Sequence, residues 1–154
     1  MNCFKDISVV FKSVFNHLAP GGYFEMKDGC MPFSSSDGTL ENTTIQEWCY
    51  KILEGSSRVG RKWADPKIYK TIMEEVGFVD VVETRFKWPL NTWPKDPKLK
   101  HLGMLVKEDM TDILSAVKKV FIAGLGWSTN EADSFVERAR EDLANKDIHG
   151  WLDM

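Results

Sequence analysis

The sequence predicts an α/β fold that carries too few strands for a complete sheet. Apolar residues recur at helical steps of three and four over most of the chain, while strand patterning is confined to two stretches, Tyr23–Met26 and Phe78–Trp88. Helix boundaries are marked by capping residues, prolines and glycines, so the elements can be placed in order. A mean sheet carries about five or six strands, and two strands among about five helices therefore predict part of a larger layered fold.

Asp6 is placed to cap a first helix, whose apolar positions Ile7, Val10, Phe11, Val14 and Leu18 repeat at helical spacing. Pro20 stops it, and Gly21-Gly22 supplies the backbone freedom for a sharp turn into Tyr23–Met26. Asp28-Gly29 is a turn pair, and the Ser-, Gly- and Asn-rich stretch 32–43 is a loop. Thr44-Ile45-Gln46-Glu47 has capping-box spacing ahead of an apolar stripe of Ile45, Trp48, Cys49, Ile52 and Leu53. Asp65-Pro66 opens a third helix that buries Ile68, Tyr69, Ile72, Met73 and Val76 and closes at Gly77.

From Phe78 to Trp88 the period changes to two, with Val82, Thr84, Phe86 and Trp88 on one face and Glu83, Arg85 and Lys87 on the other. Asp96-Pro97 begins a long helical segment reaching residue 123, broken by Gly124-Leu125-Gly126. Ser128 and Glu131 form a second capping box. The helix behind it buries Ala132, Phe135, Val136, Ala139 and Leu143.

A chain of 154 residues, 43% hydrophobic and 28% charged, suits one globular domain. A net charge of -3 gives no electrostatic case for nucleic acid or an anionic membrane surface. The longest apolar run, 113–125, is interrupted by Lys118 and Lys119 and falls short of the roughly 20 residues a membrane span needs. Cys3, Cys30 and Cys49 form no CxxC pair, which removes the usual zinc and redox signatures and fits a reducing, cytoplasmic or nuclear setting. The Asn42-Thr43-Thr44 sequon is then without consequence.

The stretch 16–26, with Leu18-Ala19-Pro20-Gly21-Gly22 at its centre, resembles the helix-turn-strand before strand five of class I S-adenosylmethionine-dependent methyltransferases. Asp37-Gly38-Thr39-Leu40, the stretch 75–81, Lys87-Trp88-Pro89-Leu90, Trp93-Pro94-Lys95-Asp96 and Leu125-Gly126-Trp127-Ser128 follow in order. Together they resemble the fungal methyltransferase group that includes the velvet-associated regulator of secondary metabolism. The resemblance implies a Rossmann-like fold of strand order 3-2-1-4-5-7-6, of which residues 1–154 would be the C-terminal part of a single domain. Tyr23–Met26 would be strand five, Phe78–Trp88 strand six, and residues 97–145 a helical insertion. The last strand, lying between those two, should follow Ile148-His149-Gly150-Trp151, where few residues remain. Met1-Asn2-Cys3-Phe4 would match the turn after strand four, so the cofactor half would be absent.

In such enzymes a glycine-rich turn after strand one and an acidic residue ending strand two hold the cofactor. Neither occurs here, and Gly124-Leu125-Gly126 reads as a helix cap between helices. S-adenosylmethionine is thus expected in intact relatives and not on this chain, with no catalytic, cofactor or metal residue assigned. Glu25 and Asp28, at the expected substrate end of strand five, are the candidate polar pocket groups; the plainer roles are a solvent-facing strand residue and a turn former. Trp63 and Trp93, in loops, are candidate pocket walls, whereas Trp48, Trp88 and Cys49 are explained as core. His17 suits a helix C-terminus, and Lys95, Lys98 and Lys100 suit a solvated face.

The expectation is a methyltransferase-family chain linked to fungal secondary metabolism and catalytically silent as it stands. The alternatives are a truncated form of an ordinary enzyme and an interaction module that binds a velvet-type regulatory partner through residues 97–145. With both neighbours of strand five absent, self-association through open sheet edges is also expected.

Overall fold

The computed structural model describes Phe4 and residues 6–154; Cys3 and the rest of the proposed strand-four turn, apart from Phe4, lie outside the described residues. The first helix, α1 (Ile7–His17), is capped by Asp6, whose carboxylate accepts a hydrogen bond from the Ser8 amide at 2.9 Å. Past Gly21, which takes the left-handed φ of +78°, the chain does not enter a strand. The expected strand at Tyr23–Met26 is a correction: these residues make no ladder, and Tyr23 is 97% exposed. An apolar run becomes a strand only where a neighbour satisfies its amides, and the partner lies further on, so β1 forms at Cys30–Ser34.

The sheet has three strands in the order β1-β3-β2, with β2 at Lys87–Pro89 and β3 at Trp151–Asp153, and both pairings are antiparallel. The presence of β3 corrects the expectation that the first strand lacks both neighbours: Trp151–Asp153 pairs it on one side and holds β2 on the other. Lys87, Trp88 and Pro89 face Asp153, Leu152 and Trp151, while β1 pairs Cys30 with Asp153 and Ser34 with Trp151 across an irregularity. Reciprocal bonds between Phe86 and Met154, each 2.8 Å, extend the β2 ladder by one pair. The expected strand Phe78–Trp88 shrinks accordingly. β3 is too short to pair more of it, and Val79 and Val82 stand 82% and 83% exposed.

Helix α2 (Thr44–Arg58) begins one residue earlier than its sequence signal. Thr43, rather than Thr44, accepts from the Gln46 amide, and the Gln46 side chain accepts from the Asn42 amide. Asp65 caps a 3₁₀ turn, Pro66–Ile68, that runs into α3 (Tyr69–Val76), leaving Ile68 exposed instead of buried. The long helical segment is two helices, α4 (Pro97–Ala116) and α5 (Lys118–Leu125), hinged at Val117. The capping box at Ser128 and Glu131 is complete and starts α6 (Thr129–Ala144), which buries the five residues its periodicity assigns.

Gly124 lies inside α5, and only Gly126 acts as its left-handed cap. A Cβ on Gly124 would sit 2.3 Å from the Gly55 carbonyl oxygen of α2, so glycine is required by helix contact. Gly103 of α4 answers a similar demand: its Cβ would lie 2.0 Å from the Asn91 carbonyl oxygen.

The larger core joins α2, α4, α5, α6 and the sheet, with Ile52, Leu114, Phe121 and Leu143 at its centre. A second, smaller cluster joins Ile7 and Phe11 of α1 to Tyr69 of α3.

Candidate functional site

β1 and β2 both run antiparallel to β3 and are therefore parallel to each other, so their carboxyl ends lie on one side of the sheet. In open α/β sheets that side is where ligands bind. Three segments meet there: the loop after β1, the loop after β2 and the residues leading into β3.

Asp37 follows β1 in a tight polar turn. One of its carboxylate oxygens accepts from the Ser35 hydroxyl at 2.8 Å and from the Thr39 hydroxyl and amide at 2.8 and 3.1 Å. The other lies 2.5 Å from Nδ1 of His149. Hydrogen bonds from Ser35, Thr39 and His149, in that order, hold the Asp37 carboxyl well below the usual carboxylate range. The His149 amide donates to the Thr39 hydroxyl at 2.8 Å, which ties this turn to the start of β3.

Trp93 completes the group. Its ring centroid is 5.0 Å from that of His149, tilted by 34°, and its indole N–H donates to the Gly150 carbonyl at 3.0 Å. The anchor behind it is Asn91, a polar residue buried at 1% exposure. Asn91 donates to the carbonyls of Asn145 and Ile148 and accepts from the Trp93 amide at 2.9 Å. A buried amide satisfied on both sides is rigid, so the β2 loop and the approach to β3 are locked in one register.

The side chains of Asp37 and His149 are 41% and 38% exposed, which leaves the group open on one side. With Nδ1 engaged by Asp37, Nε2 is the imidazole nitrogen free to meet a ligand.

The other candidates lie elsewhere. Glu25 and Asp28 precede β1 and so stand at its amino end, because the strand starts at Cys30. Glu25 is exposed and pairs with Lys27 at 3.2 Å. Asp28 accepts from the Gly29 amide at 2.9 Å and from the Tyr69 hydroxyl at 2.8 Å. Burial and that carboxylate push the Tyr69 phenol well above its ordinary value. Trp63 lines a pocket of about 190 Å³ with Met31, Leu53, Ala64, Asp65 and Pro66, its indole N–H donating to Ser56 at 3.0 Å. That volume is below the roughly 300 Å³ at which ligand pockets begin. Of the four residues singled out, only Trp93 reaches the carboxyl side of the sheet.

Cys49 is buried on α2, where burial pushes its thiol up to about 12, so it is no nucleophile. Among the described residues no His, Cys, Asp and Glu group could hold a metal ion. No described helix is long and apolar enough to cross a membrane.

Sequence reasoning missed Asp37 and His149, which are 112 positions apart. Ser35-x-Asp37-x-Thr39 does carry the signal of a side-chain-stabilised turn, but nothing linear points from it to His149.

Comparison with known proteins supplies the relationship. A protein named probable methyltransferase tdiE, from Emericella nidulans, is 35% identical over 147 residues, covering 92% of this chain and 45% of the relative. Methyltransferase pytC of Aspergillus terreus is 28% identical over 151 residues, covering 97% of this chain and 47% of its own length. The relatives that this chain matches over part of their length are fungal methyltransferases. Secondary metabolism regulator LAE1 of Cochliobolus heterostrophus is 27% identical over 146 residues, covering 92% of this chain and 48% of the regulator. The chain spans about half the length of the curated relatives it matches. No protein-family model and no solved structure matches it significantly.

Proposed function

We propose that these residues form the acceptor-side part of a Rossmann-like, S-adenosylmethionine-dependent methyltransferase domain serving fungal secondary metabolism, and that this chain alone binds no cofactor and transfers no methyl group. The observation that carries the reading is the match to tdiE over 92% of this chain but only 45% of that relative. The strand order β1-β3-β2 supports it, since a last strand between strands five and six is what the resemblance implies.

The residues present do not fit S-adenosylmethionine. Its binding needs a glycine turn between a strand and a helix, where the backbone can approach the ligand. The one Gly-x-Gly among the described residues spans α5 and its cap, and the space beside Gly124 is filled by the backbone of Gly55. The cofactor elements are assigned to the portion of the relatives that this chain does not span.

Titration calorimetry of S-adenosylmethionine into the purified chain tests this reading. No heat of binding is expected, and one-to-one binding at micromolar affinity would overturn it. Supplying the remaining portion of a close relative, covalently or in trans, should restore cofactor binding.

A second reading, an interaction module for a velvet-type regulatory partner, draws on the apolar residues Leu99, Met104 and Leu105 that α4 leaves exposed and on the similarity to LAE1. Replacing Met104 and Leu105 with Glu should abolish capture of such a partner in a pull-down, and unchanged capture removes the reading.

A further inference from the structure

The group at the carboxyl end of the sheet has the parts of an acid–base site. We propose that His149 is the proton-accepting residue for a planar methyl acceptor bearing a weakly acidic O–H or N–H, with Asp37 as its positioning residue and Trp93 as the wall against which the acceptor lies. The proposal rests on the acceptor-side reading above.

The geometry supports each role. Asp37 fixes the imidazole through Nδ1 at 2.5 Å, which orients the ring and leaves Nε2 as the basic nitrogen. The carboxylate is itself fixed by Ser35 and Thr39, so it does not follow the ring as a loose counterion would. Trp93 sets a flat aromatic surface beside that ring and is held at two points, its indole N–H donating to the Gly150 carbonyl and its amide to the Asn91 side chain. Aromatic walls select planar partners by stacking or edge contact. An imidazole is a weak base, and proton transfer to it is efficient from donors of comparable acidity, which points to a phenol, an enol or an acidic heterocyclic N–H rather than an alcohol.

The step is a simple one. The acceptor's X–H bond breaks, its proton passes to Nε2, and the acceptor is left as an anion with both electrons of that bond on X. The resulting imidazolium is stabilised by the Asp37 carboxylate, which stays ionised.

A purely structural role for the group, as a latch between the β1 loop and β3, makes a different prediction. The test uses the 154-residue chain and para-cyanophenol as probe, buffered near neutral pH, about one unit below the phenol's own pKa, where the free probe is mostly protonated and an ordinary imidazole mostly neutral. On binding, the absorbance band of the phenolate should rise and the His149 ring resonances should move together with it. His149→Gln should remove the phenolate band by tenfold or more. Asp37→Asn should leave the affinity within about twofold while lowering the phenolate fraction, and Trp93→Ala should weaken binding itself by about tenfold. Amide spectra of each variant establish that it is folded, and His149→Phe is the second variant should the glutamine fail to fold.

Binding without a phenolate band, a band that survives in folded His149→Gln, or no binding at millimolar probe would each overturn the proposal. The experiment uses neither cofactor nor methyl transfer. A positive result followed by no transfer in the reassembled domain would overturn the methyltransferase reading alone, and a negative result beside working transfer would overturn the role of His149 alone.

Discussion

In the larger cluster, Ile52 of α2, Leu114 of α4 and Phe121 of α5 are sealed from solvent by three or more neighbouring elements. In the smaller cluster, Ile7, Phe11 and Tyr69 are covered by one pair of helices and by loop residues such as Phe24, with Val9, Phe15 and Tyr23 left on the outside. Both regions have amphipathic helices of ordinary quality, so the difference is not one of sequence pattern. A helix pair needs a further layer to close its core, and α1 and α3 have none among the described residues. Phe86, 60% exposed, and Val79 and Val82 are likewise left uncovered. Apolar spacing specifies which face of an element turns inward; it does not supply the layer that face meets.

The contrast can be tested by matched truncations. Leu114→Ala, at a site with no solvent exposure, should cost about 3–4 kcal/mol in urea unfolding, within the usual range for a sealed leucine. Ile72→Ala in the smaller cluster, where the side chain is only partly buried, should cost about 1 kcal/mol. Equal losses would mean that the two clusters are equally closed. Hydrogen exchange should agree, with α1 and α3 amides opening well below the global unfolding free energy.

Gly124→Ala comes next. Helix propensity alone would favour alanine by about 1 kcal/mol, but the 2.3 Å approach of a Cβ to the Gly55 carbonyl should reverse the sign. A net loss of about 2 kcal/mol is expected from forcing α2 and α5 apart, and a stabilised variant would show that the contact is slack. Tyr69→Phe deletes the hydroxyl that donates to Asp28 at 2.8 Å and should cost about 1 kcal/mol by the same measurement.

The smaller effects concern the surface. Hydrogen bonds from Ser35, Thr39 and His149 lower the Asp37 carboxyl pKa in the folded chain, so its contribution is present above the ordinary value of 3.8 and is lost as the pH falls below it. Asp37→Asn should therefore lower stability near neutrality and flatten its further decline in acid below about pH 4; an unchanged acid limb would separate Asp37 from that decline. Val82→Thr, at an exposed site, should stay within about 0.5 kcal/mol of the parent. A larger loss would mean that something covers that face in solution.

Helices were legible in the sequence wherever their boundaries are chemical. Asp6, Asp96-Pro97 and the Ser128–Glu131 box all cap as their residue types require. The box at α2 was read one residue late because Thr43 and Thr44 are equivalent by type, and Gln46 decides between them only through geometry. The strands were less legible. Val82 and Phe86 alternate well, yet a strand needs a partner of matching length, and β3 offers one to Lys87–Pro89 only. The carboxyl side of the sheet is legible in part: Trp93 stands out as a loop aromatic, while Glu25 and Asp28 precede a strand that forms four residues beyond Met26. Asn91, His149 and Asp37 acquire meaning only when the β1 and β2 loops meet β3, which no local pattern encodes.

The central strand of the sheet comes after both of its neighbours in chain order, and this bears on how the molecule reaches its fold. Ser34 meets Asp153 across 119 positions. The entropy of closing so long a loop grows only with the logarithm of its length, but it must be met before any ladder bond rewards it. β1 and β2 cannot hold each other, since neither touches the other without β3 between them. The helices α4, α5 and α6, consecutive in the chain and in mutual contact, are the natural first assembly, and the sheet then closes as a late event. Refolding followed at once by helix signal and by the environment of Trp151 should show the second lagging the first.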